Sequence, residues 1–339
     1  MSTIKKTCPH LLDRQWQKIS QKQPAIIIYG PTAVGKTDLA IELARLMNGV
    51  MINCDLGQFY EPLSIGTAKP SLDQLDIPHA LFDIVSQPRP ITAVEYDHLA
   101  IQAIKQAEHS KKVPIIVGGS GFYCMSLLFP MNEPMHTKSM PIADRPPYSW
   151  ELLEQIDPVR ARAIHHNDEY RIKRALDIWY DTGQLPSSSR PQYHPFGPYI
   201  FIMVTRERED LYARINQRAD QMLAASNGAA FNWIKEVQGL SPEWQQFVSQ
   251  KKILGYDDVV RFVHNADHSV RAYTMLRETI AKKTRNYAKR QLTFGAMMVR
   301  TLASLEDGPP IIPINLTSTN TGQAALYISE MIAQKKGLL

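Results

Sequence analysis

A doubly wound α/β fold, a parallel sheet covered by helices on both faces, is what this sequence predicts, and three observations carry the prediction. The runs Ala25 to Tyr29, Val113 to Val117 and Tyr199 to Val204 are apolar throughout, as strands buried on both faces are. Helical patterns, Leu39 to Met47 and Leu211 to Leu223, follow the first and third of them. Between the first strand and its helix stands Gly30-Pro31-Thr32-Ala33-Val34-Gly35-Lys36-Thr37, a complete phosphate-binding loop.

That loop fixes the chemistry at one end of the sheet. Its glycines let successive backbone N–H groups turn toward phosphate oxygens, and the helix N-terminus adds the positive end of its dipole. Lys36 supplies a point charge, and the Thr37 hydroxyl is placed to hold Mg²⁺. Such a loop reads a diphosphate, not a nucleoside. The second strand, Val50 to Asn53, ends at Cys54-Asp55-Leu56-Gly57-Gln58-Phe59-Tyr60 and is followed by Ile65-Gly66-Thr67-Ala68-Lys69-Pro70. Val113 to Val117 opens into Gly118-Gly119-Ser120-Gly121-Phe122-Tyr123. Strand ends of a doubly wound sheet converge on one crevice, so Lys36, Asp55 and Ser120 are expected to meet there.

Proline-rich Pro130 to Pro147 has little helical periodicity. Beyond it Arg171, Lys173 and Arg174 begin a helix that continues through Leu176, Ile178 and Trp179 and stops before Gly183, with Asn167-Asp168 as its cap. Pro186 to Pro198 reads as a loop. In Leu211 to Leu223, Arg214 and Arg218 lie one turn apart on a shared face. From Arg271 to Arg300 eight cationic side chains (Arg271, Arg277, Lys282, Lys283, Arg285, Lys289, Arg290, Arg300) stand against Glu278 alone. This stretch predicts one long helix with Tyr273, Leu276, Ile280 and Tyr287 on its inner face, and its charge is that of a polyanion binder. Ile311 to Leu316 is a last strand, with a terminal helix after it. The division expected is an N-terminal extension (1–23), a first part of the core (24–129), the insertion (130–155) and a second part of the core with the basic helix (156–339).

At 339 residues and 44% hydrophobic content the chain suits one α/β domain with an appendage. Cys8, Cys54 and Cys124 form no close pair in sequence, which argues against a disulfide framework and a zinc site. His79, His165 and His166 have no ligand spacing and read as structural. No apolar run approaches the roughly 20 residues that span a bilayer. Met1 to Gln23 lacks the apolar block of a signal peptide, so a cytoplasmic protein without membrane contact is expected. The alternative is an organellar transit peptide, because Lys5, Lys6, Arg14, Lys18 and Lys22 face only Asp13.

Taken in order, the loop, the Asp55 and Gln58 pair, Ile65 to Pro70, the Gly118 to Tyr123 turn, Ile164 to Asp168 with Tyr170 to Ala175, Arg208 to Arg218, Gly255-Tyr256 and Tyr287-Ala288-Lys289-Arg290-Gln291 resemble the tRNA dimethylallyltransferases. The resemblance spans most of the chain. It implies a P-loop NTPase-like sheet with a shortened, mainly helical insertion, in a monomer that uses Mg²⁺. The activity implied is transfer of a dimethylallyl group from dimethylallyl diphosphate to N6 of the adenosine 3′ of the anticodon in tRNA. Catalytic roles fall to Asp55 as proton acceptor, Lys36, Thr32, Ser120 and Arg218, with Gly30, Pro31, Thr32, Ala33, Val34, Gly35, Lys36 and Thr37 on the diphosphate. Contacts to tRNA fall to Asp55, Leu56, Gly57, Gln58 and Ser120, to Tyr170, Arg171, Ile172, Lys173 and Arg174, and to Lys289 and Arg290. Gln58 is then expected either to read the adenine edge, since a carboxamide both donates to and accepts from adenine, or to act as a hydrogen-bonded loop amide.

The chain departs from the family pattern at Leu56 (usually Ser), Ser64 (usually Asp), Ser120 (usually Thr) and Phe294-Gly295-Ala296, where a Trp and an Arg are usual. Two other classes share parts of the motif set. A small-molecule kinase would use the same loop with ATP but would leave the basic helix without a role, and a paralogue that binds tRNA without turnover would keep every basic feature.

Overall fold

The computed structural model describes residues 16, 23–130, 140–188, 192–223 and 232–335. Apart from Trp16, which is buried among the core side chains, and residue 23, the expected extension 1–23 lies outside them. Six strands, β1 Ala25–Tyr29, β2 Gly49–Asn53, β3 His79–Ala80, β4 Val113–Gly118, β5 Tyr199–Thr205 and β6 Ile311–Asn315, form one sheet. Their order is β3-β2-β4-β1-β5-β6 and every pairing is parallel. The predicted strands are all present. β3 was not anticipated, because two residues give no periodicity to read.

β1 is central and all five of its residues are buried. Ile26 and Ile28 pack with Leu39 and Leu43 of the helix Lys36–Met47 and with Ala325 and Ile328 of the helix Thr321–Lys335. Each large apolar side chain removed from water here contributes roughly 1.5–3 kcal/mol. Pro313 stands exposed on β6, an edge strand, where a missing N–H costs no ladder bond. Because the strands are parallel, the segments after β1, β2 and β4 all leave from the same end of the sheet.

The helix Val270–Ala303 is the longest element, as expected, but its buried face differs from the predicted one. Leu276 and Ile280 are inward, whereas Tyr273 and Tyr287 are only half-buried. Ala281, Ala288 and Gly295 complete the inner stripe at heptad spacing. At Gly295 a side chain would strike Tyr29 and Met203, so the small residues set how closely the helix approaches the sheet.

The described chain divides into two compact units, 1–128 with 195–339, and 129–194. The second is longer than the insertion expected at 130–155. Its helices Trp150–Ile156, Pro158–Arg162 and Glu169–Thr182 share a core of their own, formed by Leu153, Ala161, Ile164, Ile172, Leu176 and Tyr180. The Tyr170 to Arg174 segment therefore belongs to this unit and not to the second part of the core. Its helix begins where expected, with Asp168 accepting the Arg171 N–H at 3.1 Å, and ends at Gly183 in the left-handed region (φ 69°).

Candidate active site

The phosphate loop is shaped by three local constraints. A side chain at Gly30 would collide with the Val204 carbonyl, and Gly35 has φ 100°. Ala33 is also held at positive φ (63°), unusual for a residue with a Cβ. Two arginines brace the carbonyl side of the loop: Arg214 Nε donates to Ala33 O at 3.0 Å and Arg206 Nε to Val34 O at 2.8 Å. Lys36 Nζ donates to Pro31 O at 2.9 Å. Burial pushes the Lys36 pKa down to about 8, Asp55 opposing the shift and Arg218 adding to it.

Asp55 leaves the end of β2 in a fixed direction because Asn53 brackets it. The Asn53 Oδ1 accepts the Asp55 N–H at 2.8 Å, and its Nδ2 donates to Asp55 O at 3.2 Å and Leu81 O at 3.0 Å. Burial raises the Asp55 pKa above the ordinary carboxylate range, against the pull of Lys36, the Gly119 N–H, Arg218 and the Gly57 N–H. Arg218 donates to the Thr32 hydroxyl, and burial lowers its pKa while Asp55 holds it up. Two cations and two backbone donors thus favour the charged carboxylate while burial favours the protonated one.

These groups line one cavity of about 460 Å³, walled by Thr32, Lys36, Thr37, Asp55, Gln58, Thr67, Arg214 and Arg218. Lys36 and Asp55 meet there as expected. Ser120 does not share that wall. Its hydroxyl oxygen accepts the Leu56 N–H at 2.9 Å and hydrogen-bonds with Tyr287, so it holds the turn after Asp55 from behind. Gln58 lines the cavity, but its amide donates to the Thr67 and Ala68 carbonyls at 3.1 and 3.2 Å, which ties it to the neighbouring turn. Among the described residues no set of three or more His, Cys, Asp or Glu side chains has the arrangement of a metal centre. Oxygen ligands near the loop include Thr37, Asp38 and Asp55, which suits a hard cation drawing its remaining ligands from phosphate and water.

The family model described as IPP transferase matches residues 58–297. The chain belongs to this family. Two curated relatives named tRNA dimethylallyltransferase, from Desulfitobacterium hafniense (strain Y51) and Anoxybacillus flavithermus (strain DSM 21510 / WK1), are 38% and 35% identical. Each alignment covers 80% of this chain, and 88% and 87% of the relative. The tRNA isopentenylpyrophosphate transferase from Bacillus halodurans is 28% identical with a TM-score of 0.61, covering 93% of this chain and 97% of that one. A structure of a eukaryotic dimethylallyltransferase acting on tRNA has a TM-score of 0.72 at 24% identity, over 91% of this chain and 79% of that one, and supports the fold.

The remaining expected contacts lie partly on each unit. Lys289 and Arg290 are exposed on the long helix beside Asn286, Thr293, Phe294 and Met297. In the unit 129–194 Tyr170 is 79% exposed and Arg171, Lys173 and Arg174 are exposed with it. Ile172 is a correction: it is buried in that unit's core, because position 172 falls on the inner side of the helix with Ala175 and Leu176, so its side chain is not offered to a ligand.

Four residues that matter escaped the sequence reading. Buried Glu236 accepts the Ser64 and Ile65 N–H groups at 2.9 and 2.6 Å and the Tyr256 hydroxyl at 2.6 Å, so the Ile65 to Pro70 turn is fixed although Ser64 replaces the usual acid. Trp233 packs where Gly66 and Gly255 leave room. Arg206 braces the phosphate loop. Gln291 was seen only as the end of a motif, yet it bonds to Thr32 and Gly119. Cys54 and Cys124, distant in sequence, bring their sulfurs to 3.1 Å beside Asp55 as free thiols.

Proposed function

We propose that the protein transfers a dimethylallyl group from dimethylallyl diphosphate to N6 of the adenosine 3′ of the anticodon in tRNA, acting as a cytoplasmic monomer. The observation that carries this reading is the single cavity in which a phosphate loop, Lys36, Arg218 and the Asp55 carboxylate face one another. The names of the curated relatives support the substrate pair.

The reaction breaks the allylic C–O bond, forms the C–N6 bond, and releases pyrophosphate with the bonding electrons. The loop N–H groups, Lys36 and Arg218 neutralise charge as it develops on the leaving oxygens. Thr37 would hold Mg²⁺, which supplies additional charge neutralisation at the diphosphate when bound. Asp55 takes the proton that N6 loses, and its raised pKa brings it closer to that task than an exposed carboxylate. The exocyclic amine is a weak nucleophile, so most of the rate comes from holding the amine and the allylic carbon in line. The adenine must leave its stack to reach the cavity.

The test is incubation of the protein with Mg²⁺, dimethylallyl diphosphate and unmodified tRNA, followed by mass analysis of nucleosides. A prenylated adenosine at the position 3′ of the anticodon is expected. Absence of that nucleoside across tRNAs carrying adenosine there overturns the reading, and phosphate transfer from ATP to a small acceptor would replace it with a kinase.

A further inference from the structure

We propose that Gln291 is a positioning residue whose carboxamide clamps the phosphate loop to the Gly119 turn, so that the helix carrying Lys289 and Arg290 sets the spacing between bound diphosphate and Asp55. The proposal rests on the function proposed above for the identity of the reacting groups. Gln291 is 4% exposed, and both ends of its amide are used. Its Oε1 accepts the Thr32 N–H at 2.8 Å and its Nε2 donates to Gly119 O at 2.9 Å. Its own backbone carbonyl accepts the Tyr29 hydroxyl at 2.9 Å, which fixes this turn of the helix to the end of β1.

Each partner leads directly to a reacting group. The Thr32 hydroxyl accepts from Arg218, and the Gly119 N–H faces the Asp55 carboxylate. A Cβ at Gly119 would occupy the place of the Gln291 amide nitrogen, so this glycine exists for a close approach and has no side chain of its own to hold the turn. Gln291 supplies that hold. A glutamate could accept from Thr32 but, ionised, could not donate to Gly119, and an apolar residue would leave the half-buried Thr32 N–H and the buried Gly119 carbonyl without this partner. Lys289 and Arg290 are exposed on the same helical turn. RNA docked on those cations is thereby indexed, through one amide, to both halves of the reaction.

Positioning errors of an ångström cost on the order of 100-fold in rate, so the clamp is tested by separating turnover from binding. The variants are Gln291→Met, which keeps length and helix propensity, and Gly119→Ala, which displaces the amide from the other side. Expected for each is a fall of roughly 10- to 100-fold in single-turnover rate with both substrates saturating, while tRNA affinity stays within about twofold. Affinity for inorganic pyrophosphate should fall roughly tenfold. Adding Gly119→Ala to Gln291→Ala should cost less than about threefold more, because the two act as one unit and the space is already vacated.

Wild-type turnover in a folded Gln291→Met protein overturns the proposal, as does a loss that follows only the folded fraction or the tRNA affinity. Full additivity of Gly119→Ala and Gln291→Ala would also overturn it. If wild-type protein transfers no prenyl group, the function reading fails, and the pyrophosphate affinities still decide whether Gln291 clamps the loop.

Discussion

In the proposed reaction Asp55 has to be ionised to accept a proton, and burial works against that ionisation while Lys36, Arg218 and two backbone N–H groups work for it. Asp55→Asn keeps the shape and removes the base. It is expected to bind pyrophosphate and tRNA with near wild-type affinity and to lose on the order of 10²- to 10⁴-fold in single-turnover rate; turnover at the wild-type rate would assign the base elsewhere. A second carboxylate, Asp97, has no access to the cavity and acts on stability. Its Oδ1 accepts the Ser126 hydroxyl at 2.5 Å, a bond that favours the charged form and opposes the effect of burial, and Ser126 Oγ is also within 2.9 Å of Tyr123 O. Burial raises its pKa from 3.8 to about 6. Folding therefore takes up a proton between those values, and the stability that protonated Asp97 supplies is full below pH 3.8 and lost as pH rises to about 6, a change of roughly 2–3 kcal/mol. Asp97→Asn should be more thermostable than wild type at pH 7 and lose that advantage near pH 4. Equal melting temperatures at both pH values would contradict the shift. The meeting of Lys36 and Asp55 in one cavity was legible in the sequence because the loop and the strand end that place them are local motifs. Gln291 and Glu236 were not, since a side chain bonding to backbone across more than 170 residues leaves no spacing to read.

At the scale of the element, the long basic helix divides its charge between docking and display. Lys283 pairs with Asp257 and Asp258 at 3.1 and 2.6 Å, Arg277 approaches Asp220 at 3.5 Å, and Arg285 donates to Asn216 at 2.6 Å. Those three cations hold the helix to its neighbours, whereas Lys289 and Arg290 are exposed with no acidic partner among the described residues. Summed charge led to the expectation of a polyanion binder; it could not say which charges are available, because that depends on Asp220, Asp257 and Asp258 on other helices. Neutralising Lys289 and Arg290 together should weaken tRNA binding and flatten the salt dependence by about 0.7 to 0.9 per lost phosphate contact. Lys283→Ala should instead lower the melting temperature through a loss of about 1–2 kcal/mol and leave the salt slope unchanged. Matching slopes for wild type and the Lys289/Arg290 variant would make those residues an ordinary solvated face. The inner stripe was misjudged for a related reason: Ala281, Ala288 and Gly295 are inward because the helix must come close, and periodicity weighted toward large side chains passes over them.

At the scale of the molecule, every residue of the 460 Å³ cavity belongs to the unit formed by 1–128 and 195–339. The unit 129–194 has a separate apolar core, and the predicted boundary at 155 fell short because the proline-rich start of the insertion conceals how many apolar residues later helices add. A unit with its own core can lose stability on its own. Leu176 is fully buried in that core, so Leu176→Ala should cost this unit about 2–5 kcal/mol, a large fraction of what so small a core supplies. The expected result is a separate, earlier thermal transition, with pyrophosphate affinity unchanged below the main transition because the loop, Lys36 and Arg218 are untouched. Turnover of tRNA should fall over the same temperature range, since exposed Tyr170, Arg171, Lys173 and Arg174 lie on the helix that Leu176 anchors. Calorimetric scanning with and without pyrophosphate reads both: the ligand should raise only the later transition. A single transition that pyrophosphate shifts as a whole would show the two cores melting together and would overturn the expectation that the unit 129–194 unfolds on its own.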